Sequence, residues 1–503
     1  MHRPPTAATD RAAELAALRP GLADAVTAEL PGARAAVLTR LWRALAYEPL
    51  PWITRRAAAG DALTLYLADG RRLGGPAADP YATAAYVEEV RLGGTVYDDP
   101  ARLMTDLAVP HGTAFAIELA HSVSSLALSR AGRTGDAEFS AREWPTTDWE
   151  WEQRVVDGHP FHPNCRSRPG FSAAEELAYG PEHRPVVRLR AVAVEAGECR
   201  VSGEWPDDLR DGTALLLPVH PWQARHVLRR TTADLTDAHP LMSLRTLALP
   251  GGPHVKTALS ARLTSSVRDI SVASVTGSAA LSAFAETVAE RTDGLLHVTR
   301  TLGAATADSP DLAAVLRESP QAYVTPGSGE RVLPVAALAT TGLPASPVWL
   351  ASFARLALTV GLRLLELGVA LEAHGQNLLV VLSARGEPLR LVYRDLADLR
   401  ISPARLARYG ARAPEVAPRM LTDDVTTLRR KLFGALVAGA LAGTAGSRAA
   451  LGAAMAAAAS DLPHTGDLVP LLHEDVPAKA LTLMRLSPGT PGDQWTRLPN
   501  PLS

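Results

Sequence analysis

The stretch EAHGQNLLVVLSARGEPLRLVYRDL, Glu372 to Leu396, leaves the chain little conformational choice. NLLVVL and LRLVY are short apolar runs, and SARGEP between them carries a glycine and a proline. Runs of this length bounded by turn residues predict two strands joined as an antiparallel hairpin. In a hairpin the start of the first strand lies beside the end of the second. Glu372, His374 and Asn377 are therefore expected to meet Arg394 and Asp395 at the open end. Oxygen ligands gathered there suit Mg²⁺, which also takes phosphate oxygens. A polar strand end held by a structural Arg–Asp pair is the other reading of the same residues.

Around this hairpin, helices and strands follow one another in no regular βαβ order, which predicts an α+β fold. Residues 10–130 read as mostly helical, because RAAVLTRLWRALAYEPL and AFAIELAHSVSSLALSR space apolar residues three and four apart. RAGRTGDAEF (130–139) suits an exposed connection, and a boundary is expected soon after it. From residue 186 strands are expected, in VVRLRAVAVEAG and ALLLPV. ASFARLALTVGLRLLELGVALEAHG reads as a long amphipathic helix ending near Gly375.

A second cluster lies in SLRTLALPGGPHVKTALSARLTSSVR. Ser243, Arg245, Lys256, Thr257, Thr264, Ser265 and Arg268 fall within one short segment. Cations mixed with hydroxyls are what a triphosphate needs, charge from one and hydrogen bonds from the other. No Walker A glycine pattern is present, so this is no P-loop. A charged hairpin on a solvated face has a similar composition.

The third cluster is DGHPFHPNCRSRPGF, Asp157 to Phe171. His159 and His162 invite a zinc reading, but Pro160 and Pro163 exclude the helix that would put both rings on one face. Rings on proline-fixed loops with Arg166 and Arg168 close by better suit a carboxylate ligand. Satisfied structural histidines are the bland alternative.

Composition narrows the class further. At 503 residues, 47% hydrophobic and 21% charged, the chain has room for two or three domains. A net charge of -2 gives no bulk attraction to nucleic acid or to an anionic membrane. Two cysteines, Cys165 and Cys199, make no disulfide framework and point to a reduced, cytoplasmic setting. The first twenty residues show no apolar core of a secretory signal. LFGALVAGALAGTAGS, Leu432 to Ser447, imitates a membrane span but falls short of the ~20 strongly apolar residues one needs; a buried or partly buried helix is expected.

EQRVVDGHPFHPNCRSRPGFS, YGPEHRP, LLPVHPWQ, SLRTL, KTALSARLTSSVR, EAHGQNLLVV, YRDL and PAKALTLMRL occur in this order over roughly 150–486. Together they resemble the NRPS-independent siderophore synthetases, the IucA/IucC family. The resemblance implies a cupped-hand architecture: a helical N-terminal subdomain (1–145), a mixed α/β central subdomain for substrate and ATP (146–335), and a mostly helical C-terminal subdomain with the magnesium and nucleotide hairpin (336–503). It implies ATP- and Mg²⁺-dependent condensation of a carboxylic acid, often citrate, with an amine, hydroxylamine or alcohol, releasing AMP and pyrophosphate; a homodimer is implied as well. Carried over by position, Ser243, Arg245, Lys256, Thr257, Thr264 and Ser265 resemble the nucleotide grip. Arg268 and His374 resemble the groups nearest the reacting carboxylate, with Lys256 beside them. Glu372, Asn377 and Asp395 resemble the Mg²⁺ and nucleotide end, and His159, Arg166 and Arg168 the acid-binding wall. The family often has Lys at Arg166 and Asn at Ser265. Glu372, His374, Asn377 and Asp395 also match the offsets of a kinase-like pattern, which would make the chain an ADP-forming phosphotransferase. A polycarboxylate-binding protein without turnover is the third reading.

Overall fold

In the computed structural model, which describes residues 8–132, 144–263 and 266–503, the hairpin is present in the expected register. Strands Leu378–Leu382 and Pro388–Tyr393 run antiparallel with Leu378 opposite Tyr393. Its first strand is buried on both faces, which explains its continuous apolar run. Leu378, Val380 and Leu382 face the main core; Leu379 and Val381 face a smaller cluster with Val332 and Val392. Arg331–Pro334 pairs with this strand, and Leu296–Val298 adds in parallel to the other hairpin strand, making a four-stranded sheet.

The long helix Pro347–Leu367 packs beneath that sheet. It ends at Gly368, where φ is +90°, and not at Gly375 as expected. Gly368 supplies the left-handed C-cap that terminates the helix, and the chain turns straight into Val369–Ala370. Two glycines seven residues apart offered the same stop signal. This is the one helix among the described residues long and apolar enough to cross a membrane, and most of its apolar window is packed inside the protein.

The expectation that residues 10–130 are mostly helical is corrected in part. Helices Pro20–Tyr47, Pro100–Leu107 and Gly112–Ala131 are there, but five antiparallel strands spanning Ile53–Tyr97 stand between them. The turns at Gly60 and Gly70, both at positive φ, reverse the chain between short strands. ITRRAAAGDALTLYLADG therefore carried a strand-turn-strand signal that its alanines obscured.

The centre is a nine-stranded antiparallel sheet. Its middle strands are Ala313–Arg317, His254–Thr257 and Thr246–Ala248. The sequence-predicted strands Val187–Glu195 and Ala214–Val219 lie toward one edge. The span-like tract forms a partly buried helix: Val425–Ala435 passes into a π-helical turn, Leu436–Leu441, then Ala442–Ala445, stopping at Gly446. Leu432, Val437 and Leu441 face the core, while Gly439 and Gly443 face a cavity. π turns are rare and recur at functional sites.

Candidate active site

The central sheet, the open end of the hairpin, the His-Pro loop and the helix Pro20–Tyr47 enclose a cavity of about 1240 Å³. Twelve Arg and Lys side chains line it against seven carboxylates, so a chain that is slightly acidic overall concentrates positive charge here. Such a chamber suits polyanions.

The hairpin end and the cation cluster meet directly. Lys256 Nζ donates to both carboxylate oxygens of Asp395 at 2.8 Å, and Arg317 Nη2 donates to Oδ1 at 3.1 Å. Burial alone would raise the Asp395 carboxyl; Lys256, Arg317 and Arg245 overcome this and hold it well below the usual carboxylate range. Asp395 has φ +73°, and Leu244, between Ser243 and Arg245, has φ +62°. Left-handed backbone at non-glycine residues costs about 1 kcal/mol or more each and marks positions the surroundings hold in place.

Period-two alternation divides the strand His254–Thr257. Lys256 enters the cavity, whereas Thr257 turns away: its Oγ1 donates to the Arg245 carbonyl at 3.1 Å and its N–H to the same oxygen at 2.8 Å. The nucleotide contact expected of Thr257 is thus replaced by bracing of Arg245. Arg245 Nη1 in turn donates to the carbonyls of Arg268 and Asp269 at 2.9 and 2.7 Å, and burial brings its pKa down to about 10. Ser243 Oγ donates to Thr246 Oγ1 at 2.9 Å at the cavity edge. Arg268 lines the cavity, and no carboxylate of the described residues lies within ion-pair distance of its guanidinium. Thr264 and Ser265 lie outside the described residues.

On the opposite side, Glu372 accepts from Lys479 at 2.7 Å and lies 3.3 Å from Lys431. Asn377 Nδ2 donates to the Glu372 carbonyl at 3.3 Å, which leaves its amide oxygen as a ligand atom. Asp395, Glu372 and Asn377 all line the cavity, and their oxygens are chemically what Mg²⁺ takes. Each carboxylate is already matched by lysine, so lysine and metal compete for the same oxygens. Among the described residues no three His, Cys, Asp or Glu side chains converge as a metal cluster. Arg394, predicted at this end, is structural: it holds the Gln376 carbonyl through Nε at 3.0 Å and Nη2 at 2.7 Å, and pairs with buried Glu152.

His374 lines the cavity with its Nδ1 accepting from Gln376 N–H at 3.3 Å, so the ring nitrogen left to face a ligand is Nε2. His159 repeats the device with Phe161 N–H at 3.2 Å. Burial pushes both rings below the ordinary histidine value. His162 is buried, is driven down to about 3 by burial and by Arg485, Arg40 and Arg268, and has no hydrogen-bond partner on either nitrogen.

Arg166 and Arg168, expected in the acid-binding wall, line the cavity and are also paired within the protein. Both guanidiniums grip an internal carboxylate, fully buried Glu182, with Arg166 Nη1 at 3.2 Å and Arg168 at 2.8 and 3.1 Å. Ser129 Oγ adds a hydrogen bond to Glu182 at 2.9 Å. The carboxylate they hold is supplied by the chain's own YGPEHRP stretch. Sequence reasoning also missed Arg317 and Lys479. Arg317 ends an apolar strand, AAVLR, opposite His254, and Lys479 sits in PAKALTLMRL. A cation closing a buried strand was the only local signal for either.

Fold and site together define an α+β protein built around a cation-rich chamber for polyanions. Solved structures share the fold. The petrobactin biosynthesis protein AsbB from Bacillus anthracis str. Sterne matches with a TM-score of 0.76 at 19% identity, over 96% of this chain and 97% of that one. The ATP-bound aerobactin synthetase IucA from a hypervirulent pathotype of Klebsiella pneumoniae matches with a TM-score of 0.73 at 20% identity, over 93% and 99%. A family model described as the IucA / IucC family matches residues 147–340, and one described as a ferric iron reductase FhuF-like transporter matches residues 347–487. The chain is 22% identical over 349 residues to the citryl-spermidine/3,4-dihydroxybenzoyl-citryl-spermidine:spermidine ligase of Bacillus anthracis, 56% of each protein. It is 30% identical over 203 residues to the rhizobactin siderophore biosynthesis protein RhbC of Rhizobium meliloti, 33% of this chain and 34% of that one. The chain spans about half the length, or less, of these curated relatives. Residues 147–340 are thus similar to the IucA / IucC family, and the fold as a whole to these solved structures.

Proposed function

We propose that this chain activates a carboxylic acid as its acyl-adenylate, with ATP, and passes the acyl group to an amine, hydroxylamine or alcohol. The observation that carries the reading is the direct contact of Lys256 and Arg317 with Asp395, with Arg245 and Arg268 lining the same chamber. In the first step a carboxylate oxygen bonds to the α-phosphorus and the bond to the pyrophosphate leaving group breaks. Two anions must approach, and preorganised cations in a dry site stabilise the charge that builds. Arg268, with no acid of its own among the described residues, faces the reacting carboxylate; Lys256 and Arg245 face the phosphates. In the second step the nucleophile attacks the acyl carbon, loses its proton, and AMP leaves. His374 enters neutral, offering Nε2–H to the carboxylate or to the oxyanion that follows. No covalent enzyme intermediate is needed.

Mg²⁺ held by Asp395, Glu372 and Asn377 would neutralise phosphate charge and orient the leaving group. One relative is named a citryl-spermidine ligase and another a siderophore biosynthesis protein, which supports citrate or a related polycarboxylate as the acid here. We extend the reading to a cytoplasmic enzyme, a homodimer, and a cupped hand divided at 1–145, 146–335 and 336–503. The separate apolar clusters of the N-terminal, central and C-terminal parts support that division. A screen of carboxylic acids against amines, reading nucleotide products and product mass, tests the proposal. AMP and pyrophosphate are expected; ADP would replace it with the phosphotransferase reading, and citrate binding without any turnover of ATP would replace it with the binding-protein reading.

A further inference from the structure

We propose that Arg40, on the helix Pro20–Tyr47, binds a second, non-reacting carboxylate of the acid substrate, so that the chamber selects di- and tricarboxylates over monocarboxylates. This rests on the acid-activating reading above and assigns a role to the N-terminal part, whose sequence carries no motif. Arg40 is 5% exposed and lines the same cavity as Lys256 and Arg268. Its Nη1 donates to Cys165 Sγ at 3.0 Å and its Nη2 to the Asp157 carbonyl at 3.1 Å. Neither acceptor is a carboxylate. The acids nearby are spent on other cations: Asp157 on Arg130 at 3.0 and 2.8 Å, Glu182 on Arg166 and Arg168. A buried guanidinium without a counter-charge is costly to keep, and a ligand anion relieves that cost.

A second, independent observation points to the same spot. His162 is 4% exposed, lines the cavity, and both its ring nitrogens are without a hydrogen-bond partner. His159 has only Nδ1 occupied, by Phe161 N–H. The charge of Arg40 acts on both rings; His374 acts on His159 and Arg268 on His162. The two imidazoles therefore lie in the same cavity within electrostatic reach of Arg40 and of the groups that face the reacting carboxylate. Neutral rings donate and accept hydrogen bonds without adding charge, so they suit the hydroxyl or carboxyl groups linking two carboxylates. A monocarboxylate at Arg268 leaves Arg40 unmatched.

Calorimetric titration without nucleotide tests this, with citrate, glutarate and butyrate added to the full chain, to Arg40→Gln and to Arg40→Lys. Arg40→Gln is expected to lose about 10- to 100-fold in affinity for citrate and glutarate, the scale of one charge-assisted pair. Butyrate and Mg·ATP should bind as in the unmodified chain, and Arg40→Lys should recover part of the citrate affinity. Unchanged citrate affinity in Arg40→Gln, an equal fall in ATP affinity, or no polycarboxylate binding by the unmodified chain would overturn the proposal. Should Arg40→Gln not fold, His162→Phe, which keeps the ring and removes both nitrogens, decides it in the same titrations. Arg40-dependent citrate binding without pyrophosphate release in any acid screen would retire the ligase reading and leave this one standing. Pyrophosphate release with undiminished citrate affinity in Arg40→Gln would do the reverse.

Discussion

Replacing Arg268 with alanine should disable the chain without unfolding it, whereas replacing Arg168 should unfold it. The two guanidiniums differ in what balances them. Arg168 is 3% exposed and contacts fully buried Glu182 at 2.8 and 3.1 Å. Its removal leaves Glu182 with half its counter-charge, and breaking a buried pair this way costs about 3–5 kcal/mol of folding free energy. Arg268 balances no carboxylate within ion-pair distance among the described residues, and its own carbonyl, not its side chain, receives Arg245. Its loss should cost less than ~1 kcal/mol in folding, the range of substitutions outside packed or paired sites. The same change removes one preorganised charged donor from the adenylation step, about 3–4 kcal/mol or 10²–10³ in rate. Urea denaturation and pyrophosphate release at saturating Mg·ATP, measured on both variants, separate the two terms. The reasoning fails if Arg268→Ala loses as much stability as Arg168→Ala, or if its pyrophosphate release stays within tenfold of the parent.

Asp395→Asn should tighten binding of metal-free ATP, by freeing Lys256, and erase the gain that Mg²⁺ brings; paired calorimetric titrations check this. His162 and His220 both sit near a pKa of about 3 through burial, below the ordinary 6.5. Between these values the unfolded chain binds protons that the folded chain refuses, so stability should fall as pH drops below 6.5, by up to about 5 kcal/mol per ring. Denaturation midpoints from pH 7 to 4 measure the slope, which His162→Phe should reduce. At Gly439 an added Cβ meets His374 Cβ at 3.5 Å, an ordinary contact. Gly439→Ala should leave the thermal midpoint unchanged, whereas Gly439→Leu should fill the cavity beside His374 and raise the KM for the acid.

Local grammar carried the hairpin, because its first strand is apolar on both faces and glycine and proline mark the turn into the second. The resemblance, and no local pattern, put the hairpin end and the cation cluster at one nucleotide, since Lys256 and Asp395 are 139 residues apart. Local grammar did not reveal the pairing of Arg166 and Arg168 with Glu182, because Glu182 enters from a separate turn, and a fork that fits a substrate carboxylate fits an internal one equally well. Thr257 was placed in the site by proximity in sequence, although one step along a strand reverses the side chain. Arg317, Lys479 and Arg40 became visible only when distant elements were packed, since nothing local marks any of them as a site residue. The N-terminal strands were hidden by alanine, which weakens strand patterning without removing the turns.

The contact between Lys256 and Asp395 has a thermodynamic consequence. With both ligands away, the two charges satisfy each other, so a lone anion must pull Lys256 off its partner and a lone dication must do the same to Asp395. Arriving together, the two ligands exchange partners with the pair at no net loss of charge contacts. Nucleotide and metal binding should therefore be mutually reinforcing, each lowering the other's dissociation constant by one common factor.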